Sequence, residues 1–239
     1  MMAQLTLDWP TKAALSRDHF FISPANAHAL SVIDDVGLWP QGKMILQGPK
    51  GAGKSHLGAI WARDHSSQTV HAASLTLDLA ESLSDCHAIL VEDADQLGPY
   101  PQAQEALFHL HNARSAAVGL LLITAKSPPR DWGMSLPDLA SRMAAMASTK
   151  LDAPDDNLLQ ALLVKLFADR QIDVTSALIS ALVIRMERSC ARAGELVEKL
   201  DRASLAANRP ISRPFALEIL EQMQMSRSCH KTLINTLQR

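Results

Sequence analysis

Eight consecutive residues, Gly48-Pro49-Lys50-Gly51-Ala52-Gly53-Lys54-Ser55, match the pattern GxxxxGKS. Backbone N–H groups in such a loop converge on an anion, and its glycines let the chain approach closely. Lys54 supplies a cation for the β- and γ-phosphates of a nucleotide, and the Ser55 hydroxyl supplies an oxygen for Mg²⁺. His56 continues the run. The bland alternative is a glycine-rich surface turn. All four signature positions match, between a strand-like 44–47 and a helix-like 54–64, and that decides for the phosphate loop. The helix N-terminus then turns its partial positive charge on the phosphates.

A phosphate loop that works with Mg²⁺ needs an acidic strand end beside it. Ile89-Leu90-Val91-Glu92-Asp93 provides one, with Glu92 in the metal position and Asp93 in the position of the base. The usual order puts Asp first. Glu92 is one methylene longer as a metal ligand and Asp93 is short as a base, so the pair predicts a nucleotide site with weak turnover. Solvated acids at a strand end are the alternative. Thr124 closes the apolar run 118–124, where a polar side chain would stand beside the γ-phosphate. A β-branched Thr is equally ordinary in a strand. Arg142 follows the turn Ser127-Pro128-Pro129. It is either a surface arginine or one that reaches a neighbouring protomer's γ-phosphate, where transition-state charge makes a guanidinium worth orders of magnitude in rate.

These residues need elements to hold them. Residues 26–36 read as a helix closed by Gly37 and Pro40. Strands are expected at 44–47, weakly at 69–71, and at 87–91 and 118–124, with helices at 54–64, 75–83 and 102–115. The alternation predicts a parallel sheet covered on both faces. From 155 onward no strand is expected, and 155–169, 175–188, 191–208 and 212–223 read as amphipathic helices. Asp155 and Asp156 suit a first turn, and Thr175 and Ser212 suit N-caps. The fold class is therefore α/β: a phosphate-loop parallel sheet core with a C-terminal all-α lid. Its parts are an extended arm at 1–15, a nucleotide-binding core at 16–152, the lid at 153–225 and a frayed or weakly helical tail at 226–239.

A chain of 239 residues can bury a full core, and a net charge of −2 gives no case for nonspecific nucleic-acid binding. Cys86, Cys190 and Cys229 are odd in number and far apart, which suits a reducing cytoplasm and neither a disulfide framework nor a zinc site. His109 and His111 stand two apart on a helix and point to different faces, so no metal-histidine site is expected. No signal peptide is visible, and the longest apolar runs are too short to span a bilayer, so no membrane partner is expected.

The ordered set resembles the AAA+ ATPases of the DnaA replication-initiator group. Residues 17–29, RDHFFISPANAHA, are similar to the segment that contacts the adenine in that group, with Asn26 as its polar residue. GPKGAGKSHL, VEDAD, LLITAKSPP and LASRM follow in family order and spacing, so the similarity spans about 17–220. The resemblance implies ADP or ATP with Mg²⁺ as ligand. Initiators carry a C-terminal helix-turn-helix domain, and the expectation here is a shorter plan without it, similar to the Hda-type regulators. That implies the DNA-polymerase sliding clamp and DnaA as partners, a homo-oligomer as a further option, and DNA only indirectly.

Gln4-Leu5-Thr6-Leu7-Asp8-Trp9 resembles the clamp-binding peptide. Gln4 would hydrogen-bond, while Leu5, Leu7 and Trp9 would fill an apolar groove on a partner. The alternative is a tail packed on its own domain. Asp8 replaces a Pro, and Trp9 replaces a Leu or Phe. There are other departures. Ala125-Lys126 stand where initiators tend to have small polar and acidic residues. Gly194 falls where the lid arginine that contacts nucleotide belongs, which leaves Arg192, with Arg188 nearby, as the stand-in. The implied function is a regulator that stimulates hydrolysis of ATP held by DnaA. The alternatives are a self-sufficient ATPase acting as a loader or remodeller, and an initiator-like DNA-binding paralogue.

Overall fold

The computed structural model describes residues 17, 20–116 and 119–237, with side chains at 115, 116 and 226–237 left undescribed. The arm residues Gln4, Leu5, Leu7 and Trp9 lie outside the described residues. The first part is a parallel sheet in the order β2-β3-β4-β1-β5. Its strands are β1 (Lys43–Gln47), β2 (Gln68–His71), β3 (Ala88–Glu92), β4 (Leu120–Ala125) and β5 (Ser148–Lys150). The helix before them is α1 (Ala27–Asp34), and those between them are α2 (Lys54–Asp64), α3 (Leu77–Ser82), α4 (Pro101–Ala116) and α5 (Pro137–Ala145).

The central strands read KMILQ, AILVE and LLLITA, and are buried almost throughout. Continuous apolar runs of this kind suit strands covered on both faces. Alternation divides them. Ile45, Ile89, Val91, Leu121 and Ile123 pack with Leu107, Leu110, Leu139 and Met143, the side of α4 and α5. Met44, Leu46, Leu90 and Leu122 pack with Ile33, Leu57 and Trp61, the side of α1 and α2. Each fully buried Leu or Ile here contributes roughly 2 kcal/mol relative to an exposed one.

The remaining helices are α6 (Asp156–Ala168), α7 (Ser176–Arg185), α8 (Cys190–Ala207) and α9 (Arg213–Leu237), and the residue just before each of the first three carries its cap. Asp155 accepts from the Leu158 amide, Thr175 from Leu178 and Ser189 from Arg192. Leu159, Leu163, Phe167, Leu182, Leu196, Val197 and Leu200 form a core of their own, separate from the two faces of the sheet. This is the helical lid.

Three features differ from the sequence reading. Asp155 is the cap of α6 and not part of its first turn. Strand β5, Ser148-Thr149-Lys150, lacks an apolar run and was not expected; it pairs with β1 at the sheet edge. Helix α9 does not stop at 223 but continues to Leu237, through most of the expected tail.

Candidate functional site

Residues 48–55 connect the carboxyl end of β1 to the first turn of α2. The Gly48 amide donates to the Ala125 carbonyl at 3.1 Å, which ties the loop entry to β4. A Cβ on Gly48 would lie 2.5 Å from the Leu151 carbonyl oxygen, so only glycine fits. Gly51 and Gly53 have φ of 80° and 104°, in the left-handed region that favours glycine. Lys54 is 7% exposed, and its ammonium donates to the Gly48 and Pro49 carbonyls at 2.7 and 3.1 Å. Burial lowers its pKa; Asp93 and then Asp95 oppose the shift, and Lys126 adds to it. Pro49, Lys50, Ala52 and Ser55 complete the loop, with Ser55 exposed in the first turn of α2.

The strand ends present the acids. Glu92 and Thr124 have the parity of Leu90 and Leu122, so both lie on the α2 side of the sheet. A Cβ on Gly58 of α2 would meet Leu90 and Thr124, which fixes how closely helix and strands approach. Asp93 leaves β3 at φ 56°, and its amide donates to the Thr124 hydroxyl at 3.2 Å. Thr124 therefore helps hold the turn that carries the acids. Asp93 is also the acid whose charge acts most on Lys54.

The loop, Lys54 and the α2 N-terminus together fit a polyphosphate. Mg²⁺ fits less self-sufficiently. Among the described residues no group of three or more His, Cys, Asp or Glu could hold a metal. Ser55 and Glu92 would supply two oxygens, and phosphate oxygens and water the rest, as Mg²⁺ commonly takes.

The other expected contacts are distributed differently. Asn26 is 4% exposed; its Oδ1 accepts the Ser23 amide at 2.8 Å and its Nδ2 donates to the Phe21 carbonyl at 2.7 Å. Its side chain shapes the segment before α1. Phe20 stands against the loop instead, edge-on to His56 with ring centroids 5.4 Å apart. Arg192 is held within the lid by Glu187 at 3.5 Å and by Glu195. With Met186, Leu196, Leu220 and Met223 it lines a lid cavity of about 190 Å³. A nucleotide contact would require it to leave two carboxylates. Arg188 pairs with Asp156 at 2.9 Å. Gly194 has open space around it: a Cβ there would meet nothing within 4 Å.

Arg142 is exposed on α5, and among the described residues no carboxylate pairs with it. Its charge acts on Lys43 and His111, at the amino end of β1. The phosphate loop leaves the other end. The intervening strand spans about 13 Å at about 3.3 Å per residue. Arg142 and Lys54 therefore belong to opposite ends of the sheet.

Sequence reasoning missed four residues that the site uses. Ser189 packs its hydroxyl onto Gly51, and the neighbouring Cys190 amide donates to the Gly51 carbonyl at 2.8 Å. Asp95 accepts the Lys126 amide at 2.9 Å and faces its ammonium at 3.3 Å. Gln104, fully buried, donates to the Leu97 and Gly98 carbonyls and accepts from the Ser135 and Leu136 amides. It links the turn after β3 to the entry of α5. Ser189, Cys190 and Gln104 belong to no motif, and the place of Asp95 in VEDAD does not tell its partner; only tertiary contact reveals these roles.

No protein-family model matches the chain. Solved structures do. Domain III of the Thermotoga maritima replication initiation protein DnaA superposes with a TM-score of 0.76 at 16% identity, over 90% of this chain and 98% of that one. AMPPCP-bound DnaA from Aquifex aeolicus gives 0.66 at 13% identity, over 79% of this chain and 65% of that one. The Thermotoga maritima RuvB Holliday junction branch migration motor gives 0.68 at 17% identity, over 86% and 71%. The chain thus spans nearly all of the isolated domain III but under two thirds of the longer DnaA structures.

Proposed function

We propose that this chain is a DnaA-related regulator of replication initiation that binds ADP or ATP with Mg²⁺. On this reading residues 4–9 dock on the sliding clamp, with Gln4, Leu5, Leu7 and Trp9 as the anchors, and Arg142 serves ATP held by DnaA. Lys54, Ser55, Glu92 and Asp93 form the chain's own nucleotide site, used as a conformational switch more than for turnover. The AMPPCP bound by a DnaA neighbour supports the choice of ligand.

The observation that carries the reading is the position of Arg142. It is exposed, lacks a carboxylate partner among the described residues, and stands at the end of β1 remote from its own phosphate loop. Such an arginine serves a second molecule's phosphates better than its own. The deciding experiment measures hydrolysis of DnaA-bound ATP in the presence of DNA-loaded clamp. The chain should accelerate it. Arg142→Ala should remove most of the acceleration, and deletion of residues 1–9 should remove the dependence on clamp. Equal acceleration by wild type and Arg142→Ala would sink the proposal.

A second reading, a self-sufficient ATPase, draws on Glu92 and Thr124 both lying on the α2 side. Steady turnover by the purified chain that survives Arg142→Ala would favour it.

A further inference from the structure

Two hollows run along the seam where α8 packs on α9, and they share Met223. The first, of about 190 Å³, is the lid cavity beside Arg192, near the start of α8. The second, of about 370 Å³, lies further along, over Ala203, Ile219 and Met223, with Lys199 and Arg202 at its rim. Arg202 pairs with Glu198 at 2.6 Å, whereas Lys199 is exposed and has no carboxylate partner among the described residues. The seam is thus an apolar trough with a spare cation beside it. Its near end adjoins the phosphate loop, where the Cys190 amide meets the Gly51 carbonyl. Phe20 stands against the same loop, 3.8 Å from where a Cβ on Gly53 would lie. Residue 20 therefore lies on the order of 20 Å from Arg192, and the segment 9–20 reaches up to about 36 Å when extended.

We propose that residues 7–9 of this chain, outside the described part, dock in that seam and are hidden there from other partners until displaced. In an extended segment alternate side chains share a face, so Leu7 and Trp9 face one way and Asp8 the other. The segment runs back from the phosphate loop, which brings Trp9 to the near hollow and Leu7 to the far one. An apolar cavity of about 150 Å³ accepts a benzene ring, so the near hollow admits an aromatic side chain. Met186 and Met223 offer sulfur to the indole, and the Arg192 guanidinium, fixed by Glu187 and Glu195, offers it a flat cation. Ala203 and Ile219 receive Leu7. Asp8, on the rim side, meets Lys199. The arm departs from the clamp peptide at two positions, an acid for Pro and Trp for Leu or Phe, and these are the two whose chemistry the seam matches. Leu7 and Trp9 cannot fill the seam and a clamp groove at once. The consequence, which rests on the clamp reading of residues 4–9, is competition: the free chain shields its own docking peptide, and the clamp binds the released form.

Trp9 itself reports the contact. Acrylamide quenching of the full chain, with the signal of Trp9→Phe subtracted, should show a shielded indole in wild type. Lys199→Glu, a change at an exposed position, should lose that shield and tighten binding to purified clamp about threefold to tenfold. Asp8→Lys should lose the shield as well, and Asp8→Lys combined with Lys199→Glu should restore it. Equal quenching in wild type and Lys199→Glu would overturn the inference. So would shielding that disappears on dilution, which would give the seam to the arm of a second copy. Equal clamp affinity in wild type and Lys199→Glu, with the shield lost in the variant, would overturn the competition. A clamp that binds neither protein would remove the clamp reading, and the quenching would still decide whether the arm docks.

Discussion

The Cys190 amide donates to the Gly51 carbonyl, so the first turn of α8 rests on the crown of the phosphate loop at 2.8 Å. The contact is tight enough that a Cβ on Gly51 would stand 1.8 Å from the Ser189 hydroxyl oxygen. Any reshaping of the loop at Gly51 is thus delivered directly to the lid. Gly51→Ala should displace α8 and also strain a residue at φ 80°. A loss of more than about 2 kcal/mol is expected. Ser189→Gly in the same chain should recover the steric part. Hydrogen exchange at the 190–193 amides, compared across the three proteins, reads the displacement.

Lys54→Ala should abolish detectable nucleotide binding. The substitution removes the main cation of the site and also the donor that spans the Gly48 and Pro49 carbonyls. Charge-assisted bonds of this kind are worth about 1.5–3 kcal/mol each. Fluorescent-ADP titration is the direct check, and an unchanged affinity would count against the assigned loop.

Gln104→Leu should destabilise the chain by roughly 2–4 kcal/mol, since buried backbone groups at Leu97, Gly98, Ser135 and Leu136 lose their partner. Urea unfolding gives the stability. The more specific expectation concerns α5. With its entry no longer pinned, the variant should lose the proposed clamp-dependent stimulation of DnaA in conditions where it remains folded, although Arg142 is still present.

Acid should weaken the amino end of the sheet. His111 is buried, and burial first, then the Lys43 ammonium, then Arg142 lower its pKa to about 4, against a hydrogen bond with Asn112 that raises it. Lys43, whose ammonium donates to the His111 carbonyl at 2.9 Å, is lowered to about 8 by burial and then by Arg142. As pH falls from about 6.5 toward about 4, the unfolded chain takes up a proton at His111 before the folded one does, so stability drops across that window. The drop should be on the order of 2 kcal/mol. For Lys43 the same logic makes stability rise as pH climbs from about 8 to about 10.5. Urea midpoints at pH 4.5 and 7.5 should differ less in His111→Gln than in wild type.

The phosphate loop and the strands at its sides were legible because each rests on a local signal. Glycines at fixed spacing require a particular backbone, and uninterrupted apolar runs require burial on both faces. Helix starts at Ser176 and Arg213 followed from caps one residue earlier. Strand β5 was not legible, since only Thr149 of its three residues is buried and its place depends on β1 alone. Nor could a reading along the chain tell that the Asn26 amide is consumed by Phe21 and Ser23, that Arg192 is drawn into the lid by two glutamates, or that Lys126 is paired with Asp95. Those are choices among partners made in three dimensions. Motifs name the groups a site needs; which neighbours already occupy them is decided by packing.

Gly194 gives the lid a vacant socket. It lies within α8, where glycine costs about 1 kcal/mol of helix stability relative to alanine, and nothing nearby would obstruct a side chain. Installing an arginine there is therefore an upgrade the scaffold can accept without repair. The retrofit should raise the melting temperature slightly. It offers a direct way to ask how much of the difference between a switch and an engine in this fold resides in one guanidinium.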